Sequence, residues 1–301
     1  MKNKNFEVII IGGSYAGLSA AMALGRSLRK VLIIDSGLAC NRQTPHSHNF
    51  ITQDGVPPAE ISAKAKDQVL QYKTVAFMND LAINAEKTES GFSVYTQSGE
   101  KLVTKKLIFA TGIKDLVPDI EGFKACWGTS LIHCPYCHGF EFRNKKTGIL
   151  ANGERAFHLA SLVNNLTDDI TILTMGKADF KPEQFAKLEA HNIPIMESEI
   201  SALEHQEGQL KSLVFTNGDR EAFDALYAGF PFKQHSDIPF SLGCELTEQG
   251  HIKVNEFQQT TVEGVYACGD NATMMRSVAA AVAGGNLAGA MTNAALTKER
   301  F

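Results

Sequence analysis

The stretch His133-Cys134-Pro135-Tyr136-Cys137-His138-Gly139 carries the densest chemistry in the chain. Two thiols at i and i+3 at a helix start can close a small disulfide ring. A helix N-terminus and a neighbouring imidazole both lower a thiolate pKa. His138, directly after the second thiol, suits acid–base work if its pKa stays near neutral. Three chemistries use such spacing. Cys-x-x-Cys-His is the attachment pattern of c-type haem, which normally requires export. A zinc site would have to wrap a tetrahedron from four ligands crowded into six positions. A redox dithiol needs only the two sulfurs and a base, so Cys134, Cys137 and His138 are the expected catalytic residues, with no metal. Cys40, Cys126, Cys244 and Cys268 have no partner spacing and are expected as buried small hydrophobes.

A second chemistry sits at Gly12-Gly13-Ser14-Tyr15-Ala16-Gly17, after the apolar run Val8–Ile11. Against Gly-x-Gly-x-x-Gly the first and last positions match, and Ser14 replaces the middle glycine. The first glycine allows a tight turn and the last lets helix and strand pack. The middle position lets a pyrophosphate approach the helix N-terminus, where free N–H groups and the dipole favour anions. Serine is small enough to keep that approach open. Asp35, followed by Ser36, ends the second apolar run, where a carboxylate can accept from ribose hydroxyls. A Gly-rich structural turn would share the glycines. The strand, helix and acid in register favour a nucleotide.

The elements that must hold these groups alternate along the chain. Strands are expected at Val8–Ile11, Val31–Ile34, Leu107–Ala110, Gly148–Ala151, Ile170–Leu173 and Val265–Cys268. Helices are expected at Tyr15–Leu28, 59–72, Glu154–Leu166 and Ser277–Thr297, and a hairpin at Phe92–Thr96 with Lys101–Thr104. Two copies of a strand-turn-helix-strand unit emerge, with the late segment completing the first. The fold class is therefore α/β: two Rossmann-like three-layer dinucleotide-binding domains, the second inserted into the first. The expected bounds are 1–114 with 244–301, and 115–243. The crossings fall at Lys114–Asp119 and Ser236–Gly243, each holding a proline.

Leu107–Gly112 (LIFATG) and Gly264–Asp270 (GVYACGD) resemble the second and third FAD segments of the two-dinucleotide-binding-domain flavoproteins. That resemblance implies FAD, with Thr111, Gly112, Gly269 and Asp270 beside it and the helix starting at Ser277 and Val278 pointing its N–H groups at the ring. Residues 41–55 are expected to cover the flavin, with Arg42 at the pyrophosphate or in solvent and His48 as a second proton-transfer group or a surface histidine. Ser36 and Ala82 complete the residues expected at the cofactor. The cysteine pair, placed early in the second domain, resembles that of thioredoxin reductase and its relatives, and the likeness spans essentially the whole chain. It implies that Cys137 faces the flavin and Cys134 exchanges with an outside disulfide. Those reductases usually follow the second cysteine with Asp. Cys-Pro-x-Cys-His-Gly, with His46-Ser47-His48 and Gln53-Asp54-Gly55, is instead similar to the branch that includes dithiol oxidases of natural-product pathways.

The second glycine turn departs from an NADPH site. Ala151-Asn152-Gly153-Glu154-Arg155-Ala156 keeps only Gly153 and Ala156, and Glu154 adds negative charge, with Arg155 beside it as an offset. After Ile170–Leu173 no Arg waits for a 2′-phosphate and no Asp for a ribose. The expected Gly-x-x-Pro-Asn reads Gly229-Phe230-Pro231-Phe232-Lys233. NADPH use is therefore doubtful. The partner is expected to be a small dithiol or disulfide, or a thioredoxin-like protein, and the resemblance implies a homodimer. An NADPH-dependent thioredoxin reductase and a flavin-bound redox sensor without turnover are the alternatives.

Composition agrees. The 301 residues give two domains' worth of chain, and 29 Lys and Arg against 33 Asp and Glu leave no basic footprint for nucleic acid. Six cysteines are too few for a disulfide scaffold. No apolar run approaches the roughly 20 residues of a membrane span. The basic start with Lys2 and Lys4 looks superficially like a secretory signal, but Glu7 and the Gly12-Gly13 turn interrupt the apolar run, so a cytoplasmic protein is expected.

Overall fold

The computed structural model describes residues 5–301, so Lys2 and Lys4 lie outside the described residues. The chain forms two compact units. One holds the residues up to Arg42, Asn49–Lys114 and Phe232–Phe301; the other holds Gln43–His48 and Asp115–Pro231.

In chain order the first unit supplies β1 (Asn5–Ile11), α1 (Tyr15–Arg26), β2 (Val31–Asp35), α2 (Pro58–Leu70), β3 (Val75–Asn79), β4 (Ala82–Thr88), β5 (Gly91–Thr96) and β6 (Lys101–Phe109), then β7 (Ile113–Asp115) at the crossing. The second unit supplies α3 (Phe123–Cys126), β8 (Leu131–Ile132), α4 (Pro135–His138), β9 (Thr147–Leu150), α5 (Gly153–Val163), β10 (Ile170–Leu173), α6 (Pro182–Ala190), β11 (Ile195–Met196), β12 (Ile200–Gln206), β13 (Gln209–Phe215), β14 (Arg220–Ala222) and β15 (Ala225–Ala228). The chain returns through β16 (Phe232–Gln234), α7 (Ile238–Ser241), β17 (Val265–Ala267) and α8 (Val278–Arg300).

The first unit is built on a seven-stranded sheet ordered β3-β2-β1-β6-β5-β4, with β17 also on β6. β1, β2, β3, β6 and β17 run parallel. The hairpin strand and the buried strand expected separately at Lys101–Thr104 and Leu107–Ala110 are one strand, β6. Its first half pairs antiparallel with β5 and its second half parallel with β17, so one edge serves two partners in succession. The period-2 alternation of side chains sends Val8, Ile10, Val31 and Ile33 into the core beneath α1 and α8, and Ile9, Ile11, Leu32 and Ile34 into a second core on the opposite face. Both faces are covered, which is why these strands read as continuous apolar runs.

The small residues of α8 serve a helix–helix contact. A Cβ on Gly285 would lie 2.1 Å from the Ala16 carbonyl oxygen, and one on Gly289 2.5 Å from that of Ala20. α1 and α8 therefore meet backbone to backbone, which fixes the turn before α1 against the end of the chain.

The second unit has a parallel five-stranded sheet ordered β11-β10-β9-β15-β8. Strand order reverses between β9 and β15, the switch point at which such folds open a crevice. A three-stranded antiparallel sheet, β12-β13-β14, covers it without any counterpart among the expected elements. Both units are Rossmann-like α/β folds. Among the described residues no helix is long and apolar enough to cross a membrane.

Candidate functional site

The turn from β1 into α1 is tight because Gly12 allows it. Its φ is +106°, and a Cβ there would stand 2.2 Å from the Ala110 carbonyl oxygen. Ser14 is the N-cap of α1, yet its side chain makes no capping bond and the first turn holds no acid. The helix end therefore keeps its dipole and N–H groups for an anion. Asp35 accepts from the Gly13 N–H through Oδ1 at 2.8 Å and from the Gly37 N–H through Oδ2 at 3.1 Å. Those bonds fix the carboxylate at the turn with lone pairs left for a ribose.

The ends of β6 and β17 join this turn. Gly269 stands against Ala16, where a Cβ would come within 3.0 Å of the Ala16 Cβ. The buried Asn271 side chain donates from Nδ2 to the Phe109 carbonyl at 2.9 Å and to Thr111 Oγ1 at 3.2 Å, tying the two strand ends together. Asp270 faces Arg276, with Oδ2 and Nε 3.8 Å apart, and the Cys40 thiol at 3.7 Å. Ser277 caps α8 by accepting the Ala280 N–H at 3.1 Å. Gly12 to Gly17, Asp35, Thr111, Gly112, Gly269, Asp270, Ser277 and Val278 thus gather around the carboxyl ends of β1, β2, β6 and β17.

Ser36 directly follows Asp35 in this turn, and the remaining expected positions differ in their surroundings. Ala82 is packed in the apolar core with Val94 and Leu102. Ser36 and Arg42 are exposed, and Arg42 donates to the Ala39 carbonyl at 2.9 Å. Cys40 is exposed, contrary to expectation, because it lies in the irregular connection after β2, whereas Cys126, Cys244 and Cys268 are buried. Burial pushes the thiols of those three up, that of Cys268 to about 12, so they stay protonated. Asn271 and Arg276 were missed by sequence reasoning, although each is the immediate neighbour of an expected residue.

In the second unit Cys134 is the N-cap of the single turn α4, with Pro135 supplying the preset φ of the first helical position. The turn brings the sulfurs of Cys134 and Cys137 to 2.7 Å, about 0.7 Å from a disulfide bond length. Both ring nitrogens of His138 are shielded from water and have no hydrogen-bond partner among the described residues. Burial, with a smaller contribution from the charge of His48, pushes its pKa down to about 4. The imidazole is therefore neutral at pH 7, a base without a stored proton, rather than the near-neutral acid–base group expected from sequence. His48 lies in the segment Gln43–His48 of this unit, its Nε2 3.6 Å from Glu141 Oε1. The buried Tyr227 hydroxyl beneath α4 is pushed up by burial, with Cys134 and Glu141 adding to the effect.

The depressed pKa of His138 carries a stability consequence. The unfolded chain takes up a proton near pH 6.5 that the folded imidazole refuses until about pH 4. Stability is thus intact above pH 6.5, falls as pH drops toward 4, and is flat below, a loss of about 3 kcal/mol in full. Urea denaturation at pH 7.5 and 4.5 should show this difference and His138→Gln should shrink it; an unchanged slope in the variant contradicts the assignment.

The second glycine turn is filled by its own side chains. Asn152 Oδ1 accepts from the Gly153 N–H at 2.8 Å and the Asp179 N–H at 2.9 Å, and its Nδ2 donates to the Lys177 carbonyl at 2.9 Å. The N-terminus of α5, open in α1, is here capped, and the segment after β10 is laced onto it. Glu154 accepts from Gln184 at 2.8 Å. Arg155 lies over Gly229 just past β15, where a Cβ would fall 1.5 Å from its Nη2. Its guanidinium occupies the crevice at the switch point between β9 and β15.

The comparisons with known proteins follow this geometry. The pyridine nucleotide-disulphide oxidoreductase family matches residues 6–285. The chain is 32% identical over 303 residues to the thioredoxin reductase tcpT of Claviceps purpurea, covering 96% of this chain and 94% of that protein. It is 32% identical over 306 residues to the thioredoxin reductase sirT of Leptosphaeria maculans, covering 96% and 93%. The crystal structure of an oxidoreductase from Agrobacterium tumefaciens matches with a TM-score of 0.91 at 35% identity, over 98% of this chain and 99% of that one. With two Rossmann-like units, a close cysteine pair and matches along nearly its whole length, the chain belongs to the pyridine nucleotide-disulphide oxidoreductase family, as a thioredoxin reductase-like enzyme acting on sulfur groups.

Proposed function

We propose that the protein is an FAD-dependent dithiol oxidase that moves electrons from an external dithiol through Cys134 and Cys137, with little or no use of NADPH. The observation that carries this is the contrast between the two glycine turns: open at Ser14, closed by Asn152. A pyrophosphate would seat at the α5 N-terminus, where the Asn152 side chain already takes the Gly153 N–H and ties on the Asp179 N–H, beside a glutamate that opposes its charge.

The residues of the first unit fit FAD. The Gly12 turn has no room for a Cβ, Asp35 is held with lone pairs to spare, and the buried Asn271 Oδ1 has no hydrogen-bond partner among the described residues. The α1 N-terminus would hold the pyrophosphate, Asp35 a ribose and Asp270 the ribityl region. When bound, FAD supplies a two-electron acceptor that oxygen or another acceptor regenerates. The chain's own part is thiol chemistry: neutral His138 takes a proton from the incoming thiol, Cys134 receives the thiolate, and Cys137 leaves with the electron pair. A small dithiol is the favoured substrate, and the working unit is taken as a cytoplasmic homodimer by resemblance. The names of the two fungal relatives favour the other direction, an NADPH-dependent reductase of a thioredoxin-like protein.

Aerobic incubation of the FAD-loaded protein with dithiothreitol and no nicotinamide separates the two. The oxidase consumes oxygen and yields the cyclic disulfide. Turnover that appears only with NADPH and a thioredoxin-like protein would establish the reductase instead.

A further inference from the structure

We propose that the second unit keeps a formed dinucleotide crevice and locks it with two of its own side chains, Asn152 at the α5 N-terminus and Arg155 over Gly229. This deepens the reading of little or no NADPH use and rests on it. The two locks are separate, and removing both returns nucleotide binding.

The crevice itself is intact. β9 and β15 pair in parallel from Thr147 with Ala225 to Leu150 with Ala228, and both strands are buried throughout. Only Ala151 and Asn152 separate β9 from α5, the tight strand-to-helix turn that such a site requires. A dinucleotide would cross the carboxyl edge of this sheet where strand order reverses, with its pyrophosphate at the helix N-terminus.

Gly229 is the seat of one lock. The three atoms nearest a Cβ placed there are Nη2, Cζ and Nε of Arg155, at 1.5, 2.4 and 3.0 Å. The φ of Gly229 is not positive, so backbone strain does not reserve the place for glycine; the guanidinium does. Gly229 is also fixed. Ala228 before it ends β15, and Phe230 after it packs on Trp127 and Phe123, with ring centres 5.3 and 6.1 Å away. The Pro231 carbonyl then accepts the Leu116 N–H at 2.8 Å. A flat cation laid on this glycine fills the volume that a dinucleotide would cross.

The other lock works at the turn. Asn152 Oδ1 accepts from the Gly153 and Asp179 N–H groups while Nδ2 donates to the Lys177 carbonyl, so one side chain caps α5 and draws the segment after β10 over it. That segment is held again by Glu197, whose Oε1 accepts the Ala178 N–H at 2.7 Å. Glu154 is turned away to Gln184 of α6. Asn152 is half-buried and Arg155 exposed, so trimming either leaves no cavity in the core.

The test is calorimetric titration of the whole, FAD-loaded protein with NADP+, which leaves the flavin oxidised. Asn152→Gly with Arg155→Ala should bind at least about 30-fold more tightly than wild type, each single variant by a smaller factor. If Arg155 were instead a hook for the phosphates, its loss would weaken binding. A second measurement needs no nucleotide. Gly229→Ala should lower the urea midpoint of wild type, because the methyl meets the guanidinium, and lower that of Arg155→Ala by less than half as much. A double variant that binds no better than wild type, weaker binding by Arg155→Ala, or equal urea losses in the two backgrounds overturns the locks and leaves the oxidase reading standing. Micromolar binding of NADP+ by wild type overturns both.

Discussion

Cys137→Ser should abolish dithiol oxidation, by at least about 10³-fold, while the protein keeps its fold and its FAD. Serine is nearly isosteric, so α4 can still form, but the hydroxyl cannot close a disulfide 2.7 Å from Cys134. Cys134→Ser should be as damaging, because the sulfur that receives the substrate is gone. The double variant should be no worse than either single one, since the two thiols act as one unit. Oxygen uptake with dithiothreitol, alongside the flavin absorbance of each purified variant, measures both halves. Turnover surviving in either single variant would mean that electrons reach the acceptor without the pair, and the catalytic assignment would fail.

Gly12→Ala should cost the protein its cofactor. The added methyl would meet the Ala110 carbonyl oxygen at 2.2 Å in a backbone with φ of +106°. Neither can yield cheaply, because Ala110 follows the central strand β6 and its N–H is bonded to the Ile11 carbonyl. A loss of about 3 kcal/mol or more is expected, with FAD content below a tenth of wild type. Gly99→Ala is the control: its φ is +90° but nothing lies within 4 Å of the added methyl. It should cost only about 1–2 kcal/mol of backbone strain and retain FAD. Equal FAD content in the two variants would show that the β1–α1 turn does not hold the cofactor.

What was legible in the sequence is local. Cys134, Cys137 and His138 share one turn, and Gly12 to Gly17 share another, so spacing alone brings them together. Strands buried on both faces announced themselves as apolar runs. β4 and the β12-β13-β14 sheet were silent because half their residues face water and their register depends on partners. β6 read as two strands because its partner changes midway. The second glycine turn was seen to be degraded, but that Asn152 itself fills the anion position needed coordinates. His48 was singled out in the sequence, but its pairing with Glu141 was not legible, since 93 positions separate them and Glu141 belongs to no spacing motif. The pKa of His138 was misjudged for a related reason: burial is a property of the packed chain, not of the residue.

The most direct test is anaerobic reduction of the bound flavin, followed by its absorbance, with dithiothreitol and NADPH mixed in parallel. The account predicts fast bleaching by the dithiol, abolished in Cys137→Ser, and reduction by NADPH slower by a factor of about 100 or more with no saturation at millimolar concentration, because Asn152 occupies the α5 N-terminus. Rapid, saturating reduction by micromolar NADPH would contradict it.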